Sequence, residues 1–294
     1  MSHFGQLTPE QWLAPLTGPL WGYRRKARLG VRYVTKKEKV LVGFREKGTP
    51  YLAELTQCEV LDPRVGLRLE ELGKMIASLE AYNRIAQIEV AMDDANTALV
   101  FRNMDPLCET DKQKLMNYGQ QHDLWIYQQP GGPDTVIPLW PEDPQLHYAP
   151  EEGLRLEFAP GDFTQVNAGI NHKMIAKAIE LLDLQETDRV LDLFCGLGNF
   201  TLPLAKRVNS VIGVEGDKSL VAHAQHNAAI NGLTNAEFEL ADLTVTQLKD
   251  YPWAQAGFTK VLLDPPRSGA FEVLGQIAAL GAETIVYVSC NPAT

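Results

Sequence analysis

The stretch LDLFCGLGNF, residues 191–200, is an apolar run that breaks into two glycines. Val190 to Phe194 reads as a buried strand, and Gly196 and Gly198, lacking Cβ atoms, permit a tight turn and a close backbone approach to a ligand. A lone GxG is weak evidence, and the third glycine of a dinucleotide fingerprint is replaced here by Asn199, Phe200 and Thr201. The surroundings strengthen it. A helical stretch over 171–182 precedes the run, and further apolar runs follow at 211–214, 238–240, 261–263 and 285–288, with amphipathic segments such as 219–231 between them. This alternation predicts an α/β fold with a doubly wound parallel sheet.

In such sheets ligands bind outside the carboxyl ends of the strands, so the residues there read as a series. Glu215 ends the second strand, nineteen residues after Gly196, where a carboxylate accepts from ribose hydroxyls. Asp242 ends the third strand, in reach of an adenine amino group. Asp264 ends the fourth, followed by two prolines, and Cys290 ends the fifth. Each has an ordinary explanation by itself; five successive strand ends together point to a nucleoside-binding crevice. Cysteines are commonly packing residues. Cys290, however, follows its strand and precedes Asn291 and Pro292, which turns it toward the crevice as a candidate nucleophile. Cys195 is read as packing behind the glycine turn, and Cys108 has no context that raises it above that reading.

The proline-rich stretch Pro141 to Gly153 marks a boundary, giving domains at 1–150 and 151–294. In the first, strand-like runs near 23–34, 39–45, 87–92, 97–102 and 124–128 and helical periodicity near 67–86 and 110–121 predict a small α+β domain with an antiparallel sheet. The net charge of −10 argues against a nucleic-acid partner, but its distribution does not. Ten Lys or Arg against two Glu between Arg24 and Lys47 give a local balance of +8. Strand alternation places Arg24, Lys26, Arg28 and Arg32 on one face. Residues two apart on a strand stand about 6.5–7 Å from each other, comparable to the phosphate repeat of an extended nucleic-acid strand. A backbone-tracking RNA surface and a solvated strand face both fit that stripe.

Four cysteines without a CxxC pair argue against a disulfide framework and against a complete metal site within the chain. No run approaches the ~18 apolar residues of a membrane span, and the N-terminus lacks a secretory pattern, so no membrane association is expected and the cytoplasm is the default location. No obligatory protein partner is evident.

Taken together, FTQVNAG (163–169), LDLFCGLGNFTLPLA (191–205), GVEG (213–216), LLDPPRSG (262–269) and VYVSCNPAT (286–294) resemble the bacterial S-adenosylmethionine-dependent RNA uracil-carbon-5 methyltransferases. WGYRRKARLGVRY (21–33) and VGFREKG (42–48) are similar to the central domain of the branch acting on 23S ribosomal RNA; a branch acting on transfer RNA shares the other motifs. The resemblance implies a class I methyltransferase sheet, S-adenosylmethionine as cofactor and RNA as partner. It also implies a pocket lined by Gln165, Phe194, Asn199, Glu215, Asp242 and Asp264, with Cys290 as nucleophile. Cys58 matches the last of four cysteines that hold a four-iron four-sulfur cluster in that branch. The other three ligands, an N-terminal β-barrel domain, and two C-terminal strands leading to a glutamate base are not found in this sequence. The chain is therefore expected to be a fragment of a longer enzyme, impaired in turnover.

Rival readings are weaker. Amino methyltransferases commonly place an aromatic residue after a DPP-like motif, where Arg267 stands here, and they need no cysteine. RNA cytosine methyltransferases carry an additional cysteine at the fourth strand, which this chain lacks. A non-catalytic fragment retaining only RNA or cofactor affinity is the remaining alternative.

Overall fold

The computed structural model describes residues 8–244, 247–255 and 257–291. The chain forms two compact units. One comprises Gly18–Tyr148 with Phe158–Gly169; the other comprises the described parts of Met1–Thr17, Ala149–Glu157 and Ile170–Thr294.

The first unit is built on a six-stranded sheet of β1 (Lys26–Val34), β2 (Lys39–Gly43), β3 (Ile85–Met92), β4 (Thr97–Asn103), β5 (Trp125–Gln129) and β6 (Ile137–Trp140), in the order β2-β1-β3-β4-β5-β6. Neighbours pair antiparallel except β4 with β5, which run parallel because a helix, α3 (Glu109–His122), carries the chain back between them. The sheet is thus mixed where the sequence suggested a purely antiparallel one. Alternation along β1 buries Ala27, Leu29 and Val31 and leaves Arg28 and Arg32 exposed. The short α1 (Pro63–Gly66) leads into α2 (Leu69–Ala77), whose Leu69, Leu72, Gly73 and Ile76 form a buried stripe at helical spacing.

The helical periodicity extends to residue 86, but α2 stops at Ala77. The buried carboxylate of Asp111, on α3, explains the stop: it accepts from the amides of Glu80 (2.8 Å) and Ala81 (2.9 Å), which a continuing helix would have used internally. Strand β6, which the sequence reading did not include, carries Pro138 and lies at the sheet edge, where a missing N–H is tolerated.

Two three-residue strands, β7 (Leu146–Tyr148) and β8 (Leu156–Phe158), precede the second sheet. That sheet contains β9 (Arg189–Leu193), β10 (Ser210–Glu215), β11 (Ala236–Leu240), β12 (Lys260–Leu263) and β13 (Thr284–Tyr287), all parallel, in the order β11-β10-β9-β12-β13. The helices are α4 (Ala168–Leu182), α5 (Thr201–Ala205), α6 (Lys218–Ile230) and α7 (Phe271–Ile277). Side chains leave the strands alternately toward two apolar layers. Val190, Val211, Leu262 and Val286 pack with Ile175, Ala178 and Leu182 of α4, while Leu191, Leu193, Val214, Val261 and Leu263 pack with Val273 and Ile277 of α7. Burial on both faces accounts for the near-continuous apolar strands, and for a sequence in which these strands stand out as short hydrophobic runs.

The strand order reverses between β9 and β12, so the crevice of this sheet opens at their carboxyl ends. The loop after β9 and the start of β12's following loop are joined there, the amide of Asp264 donating to the Leu193 carbonyl at 3.3 Å. At the far side β13 is an edge strand with Val286 buried and Ile285 exposed.

Candidate functional site

The turn after β9 is left-handed at three places: Phe194 (φ 64°), Gly196 (φ 54°) and Gly198 (φ 92°). At Gly198 a Cβ would also stand 2.2 Å from Leu202 Cδ1, so a side chain there would displace the buried leucine as well as strain the backbone. Several buried polar groups hold this loop from outside. Asn227 of α6, fully buried, donates to the Leu197 carbonyl (3.2 Å) and exchanges hydrogen bonds with the backbone of Glu157. Asn199, half-buried, exchanges two amide hydrogen bonds with Asn171 of α4, at 2.9 and 3.0 Å. Cys195 is sealed behind the turn against Gly213, and burial pushes its thiol well above the ordinary range, as befits an inert packing residue.

Glu215, at the end of β10, accepts from the amide of Gly196 through Oε2 (3.0 Å) and from those of Gly216 (2.7 Å) and Asp217 (3.0 Å) through Oε1. The carboxylate therefore ties its own turn to the glycine loop. Asp217 caps α6 by accepting from Ser219 and Leu220. Asp242, exposed after β11, accepts from the amide (2.9 Å) and hydroxyl (2.6 Å) of Thr244; these bonds hold its carboxyl below the usual range.

Two further carboxyls are pushed the other way. Asp192, in β9, is fully buried; its Oδ2 accepts from the Thr201 hydroxyl (2.5 Å), whereas Oδ1 is buried with no hydrogen-bond partner among the described residues. Desolvation, opposed by Thr201 and aided by the charges of Asp264 and Glu215, raises it to about 7. Asp264 is raised to about 6 by burial. Three electrically coupled carboxyls around a loop with an orphaned acceptor make a place where a cation would be stabilised. A nucleoside ligand bearing positive charge fits those residues.

Cys290 is exposed, three residues beyond β13 and on the same carboxyl rim; Ser289 beside it donates to the carbonyl of Asn291 and accepts from its amide. The remainder of its motif, residues 292–294, lies outside the described residues. Phe194, Gly196, Gly198, Asn199, Glu215, Asp242, Asp264 and Cys290 thus occupy one end of one sheet. Gln165 belongs to the first unit, half-buried in the segment Phe158–Gly169. Cys58 is half-buried, and among the described residues no group of three or more His, Cys, Asp or Glu side chains could hold a metal ion. The residues present therefore do not compose a cluster site.

The basic stripe divides. Arg28, paired with Glu89 at 2.9 Å, and Arg32 are exposed. Lys26 instead turns its ammonium onto the carbonyls of Pro160 and Asp162 (2.7 Å to the latter), and burial lowers it to about 8. Arg24 lies over the Phe44 ring, 5.9 Å from its centre, with Nε buried. Sequence reasoning missed Asp192, Thr201, Asn171 and Asn227. An acid inside the run VLDLF was the available signal for Asp192; an asparagine within the apolar stripe of α4 was the signal for Asn171.

A five-stranded parallel sheet with this order and a glycine turn after its central strand defines a class I methyltransferase-type fold. The comparisons narrow the class. A family model described as tRNA (Uracil-5-)-methyltransferase matches residues 150–294. The 23S rRNA (uracil(1939)-C(5))-methyltransferase RlmD of Alkalilimnicola ehrlichii is 56% identical over 294 residues, covering 99% of this chain and 66% of that protein. The protein of the same name from Hahella chejuensis is 51% identical, covering 100% of this chain and 67% of its own length. A solved Pyrococcus abyssi tRNA (uracil-54, C5)-methyltransferase, in complex with S-adenosyl-L-homocysteine, superposes with a TM-score of 0.70 over 94% of this chain and 68% of that one, at 21% identity; at that identity it shows the fold. The chain belongs to the RNA uracil-5-methyltransferase family. It spans about two thirds (66%) of the length of the first of these relatives. Among the described residues no helix is long and apolar enough to cross a membrane.

Proposed function

We propose that this chain carries the methyl-transfer centre of an enzyme that methylates carbon 5 of a uridine in 23S ribosomal RNA, in the cytoplasm, with Cys290 as nucleophile. The observation that carries the reading is the shared rim: an exposed thiol at the end of β13, on the same side of the sheet as the glycine loop, Glu215, Asp242 and Asp264. Relatives named for that reaction supply the substrate.

Neighbouring strands stand about 4.8 Å apart, so three strand ends span roughly 10 Å, the length of a nucleoside. On this reading Asp242 accepts from the adenine amino group and Glu215 from the ribose. The loop at 194–199 faces the amino-acid tail, with Asp192 and Asp264 stabilising positive charge. S-adenosylmethionine, when bound, supplies an electrophilic methyl group. Gln165 matches, by resemblance, a position that lines the cofactor and target-base pocket in this family.

Uracil carbon 5 is a poor nucleophile. The Cys290 thiolate forms a bond to carbon 6, and the π electrons of the ring move onto carbon 5 and its neighbouring carbonyl. Carbon 5 then takes the methyl group as the bond from methyl to sulfur breaks. Loss of the carbon 5 proton to a base restores the double bond and expels the thiolate. Because the ring must face the thiol and the methyl donor on opposite sides, the base must leave its stack, a step Arg28 and Arg32 can support by holding phosphates.

RNA containing 5-fluorouridine tests the route, because fluorine at carbon 5 cannot leave as a proton does and the adduct persists. With S-adenosylmethionine and a 23S rRNA fragment, the chain should form a denaturation-resistant adduct. Cys290→Ala should form none while binding S-adenosylhomocysteine as before. Methyl transfer by Cys290→Ala would overturn the thiol route; an adduct with transfer RNA alone would redirect the substrate; cofactor binding without any adduct would leave a non-catalytic module.

A further inference from the structure

Asn171 is a polar residue in an apolar place. It heads the buried stripe of α4, Asn171, Ile175, Ala178 and Leu182, where the spacing calls for an aliphatic side chain. It is 3% exposed, and asparagine is unfavourable in a helix by up to about 0.7 kcal/mol relative to alanine. A buried amide without partners costs about 1–3 kcal/mol. Asn171 avoids that cost through one neighbour, Asn199: each side chain donates to the other, at 2.9 and 3.0 Å. Helix α4 ends before β9 begins and runs back along it, so its first turns lie at the carboxyl end of the sheet. Asn171 therefore reaches the glycine loop from behind.

We infer that Asn171 is a positioning residue for the cofactor's amino-acid tail, acting through the reciprocal amide pair that fixes the orientation of Asn199. The inference rests on the nucleoside-cofactor reading above. In the reciprocal pair the two amides are locked to each other, because a flip of Asn199 alone would set carbonyl against carbonyl and amino group against amino group. Asn199 itself is half-buried in the loop that follows β9, at the carboxyl end of the sheet. Without Asn171 the Asn199 amide loses both bonds of the pair, and more of its ordering falls to the ligand upon binding.

Asn171→Leu completes the apolar stripe and should keep the fold, with a thermal midpoint close to that of the parent. Its affinity for S-adenosylhomocysteine should fall about tenfold, whereas affinity for 5′-methylthioadenosine, which has the nucleoside but no amino-acid tail, should change less than twofold. Asn199→Ala should show the same selective loss, and the double variant should lose no more than Asn199→Ala alone, as required of a residue that acts through another. Asn171→Asp, which can accept from Asn199 but not donate, provides the same measurement should the leucine variant not fold. Equal losses for both ligands would overturn the inference in favour of a scaffold role, as would unchanged affinity for S-adenosylhomocysteine or additive losses. If the parent chain binds neither ligand, the nucleoside-cofactor reading fails instead.

Discussion

The two sheets of this chain present polar residues in different ways. In the parallel sheet both faces are buried, so only strand ends are available, and the chemistry collects there: a glycine loop, three carboxylates and a thiol. In the six-stranded sheet polar residues are distributed along a strand by alternation, and a charge there can serve the protein's own backbone instead of a partner. Lys26 and Arg28 are two positions apart in β1 and share the outward face by register, yet one is consumed by the carbonyls of Pro160 and Asp162 while the other stays exposed. Position alone nominates the proposed site in the first arrangement; in the second, each side chain must be followed to its partner.

The sharpest way to break this contrast is at Glu215, where the proposed site and the scaffold coincide. Its carboxylate holds three backbone amides, and hydrogen bonds to charged groups contribute about 1.5–3 kcal/mol each. Glu215→Ala should therefore lower the thermal midpoint and reduce S-adenosylhomocysteine affinity by about a hundredfold or more. Asp242 is exposed and accepts from the amide and hydroxyl of Thr244 within its own turn, so Asp242→Ala should weaken the ligand about tenfold and lower the midpoint less than Glu215→Ala does. Calorimetric titration and thermal melts on the two variants decide it. Equal stability losses would remove the distinction between them.

Asp192 sharpens the comparison through pH. Its folded-state value, about 7, lies above the ordinary aspartate value. The sign follows: its contribution to stability is fully present below about pH 4, where both states are protonated, and is lost as pH rises to about 7. Asp264, raised to about 6, acts in the same direction over a narrower window. The thermal midpoint of the free chain should fall across this range, and Asp192→Asn should abolish the fall between about pH 6 and 7 and reduce it between about pH 4 and 6, where Asp264's part remains. Ligand affinity should show the opposite trend, rising over the same interval as the carboxyls ionise to meet the cofactor's positive charge. A melt profile for Asp192→Asn parallel to the parent's would contradict the assignment.

Much of this was legible beforehand, for physical reasons. Runs such as Val261–Leu263 are recognisable because strands buried on both faces must be continuously apolar, and Glu215 and Asp264 stand out as the charges that end them. The end of α2 was not legible, because it depends on Asp111, some thirty residues away, taking the amides of Glu80 and Ala81. Nor was the inward turn of Lys26, whose partners lie more than 130 residues along the chain. Asn171 and Asp192 were visible only as polar interruptions in apolar patterns. What they do depends on the hydrogen bond each makes after folding.

The smallest expected effect concerns the basic strand, and salt dependence resolves it. Each phosphate contact on single-stranded RNA contributes about 0.7 to the slope of log affinity against log salt. If Arg28 and Arg32 follow the backbone, Arg28→Ala and Arg32→Ala should each lower the slope by about that amount, and the pair by about twice it, with little change in sequence preference. Arg28 is held by Glu89, so part of its contribution goes to releasing that ion pair and its effect should be the smaller of the two. Lys26→Met should leave the slope unchanged, since an ammonium facing two carbonyls neutralises no phosphate. A slope that fell in Lys26→Met as much as in Arg32→Ala would mean that alternation by itself had identified the RNA surface, and that this sheet can be read by position like the other.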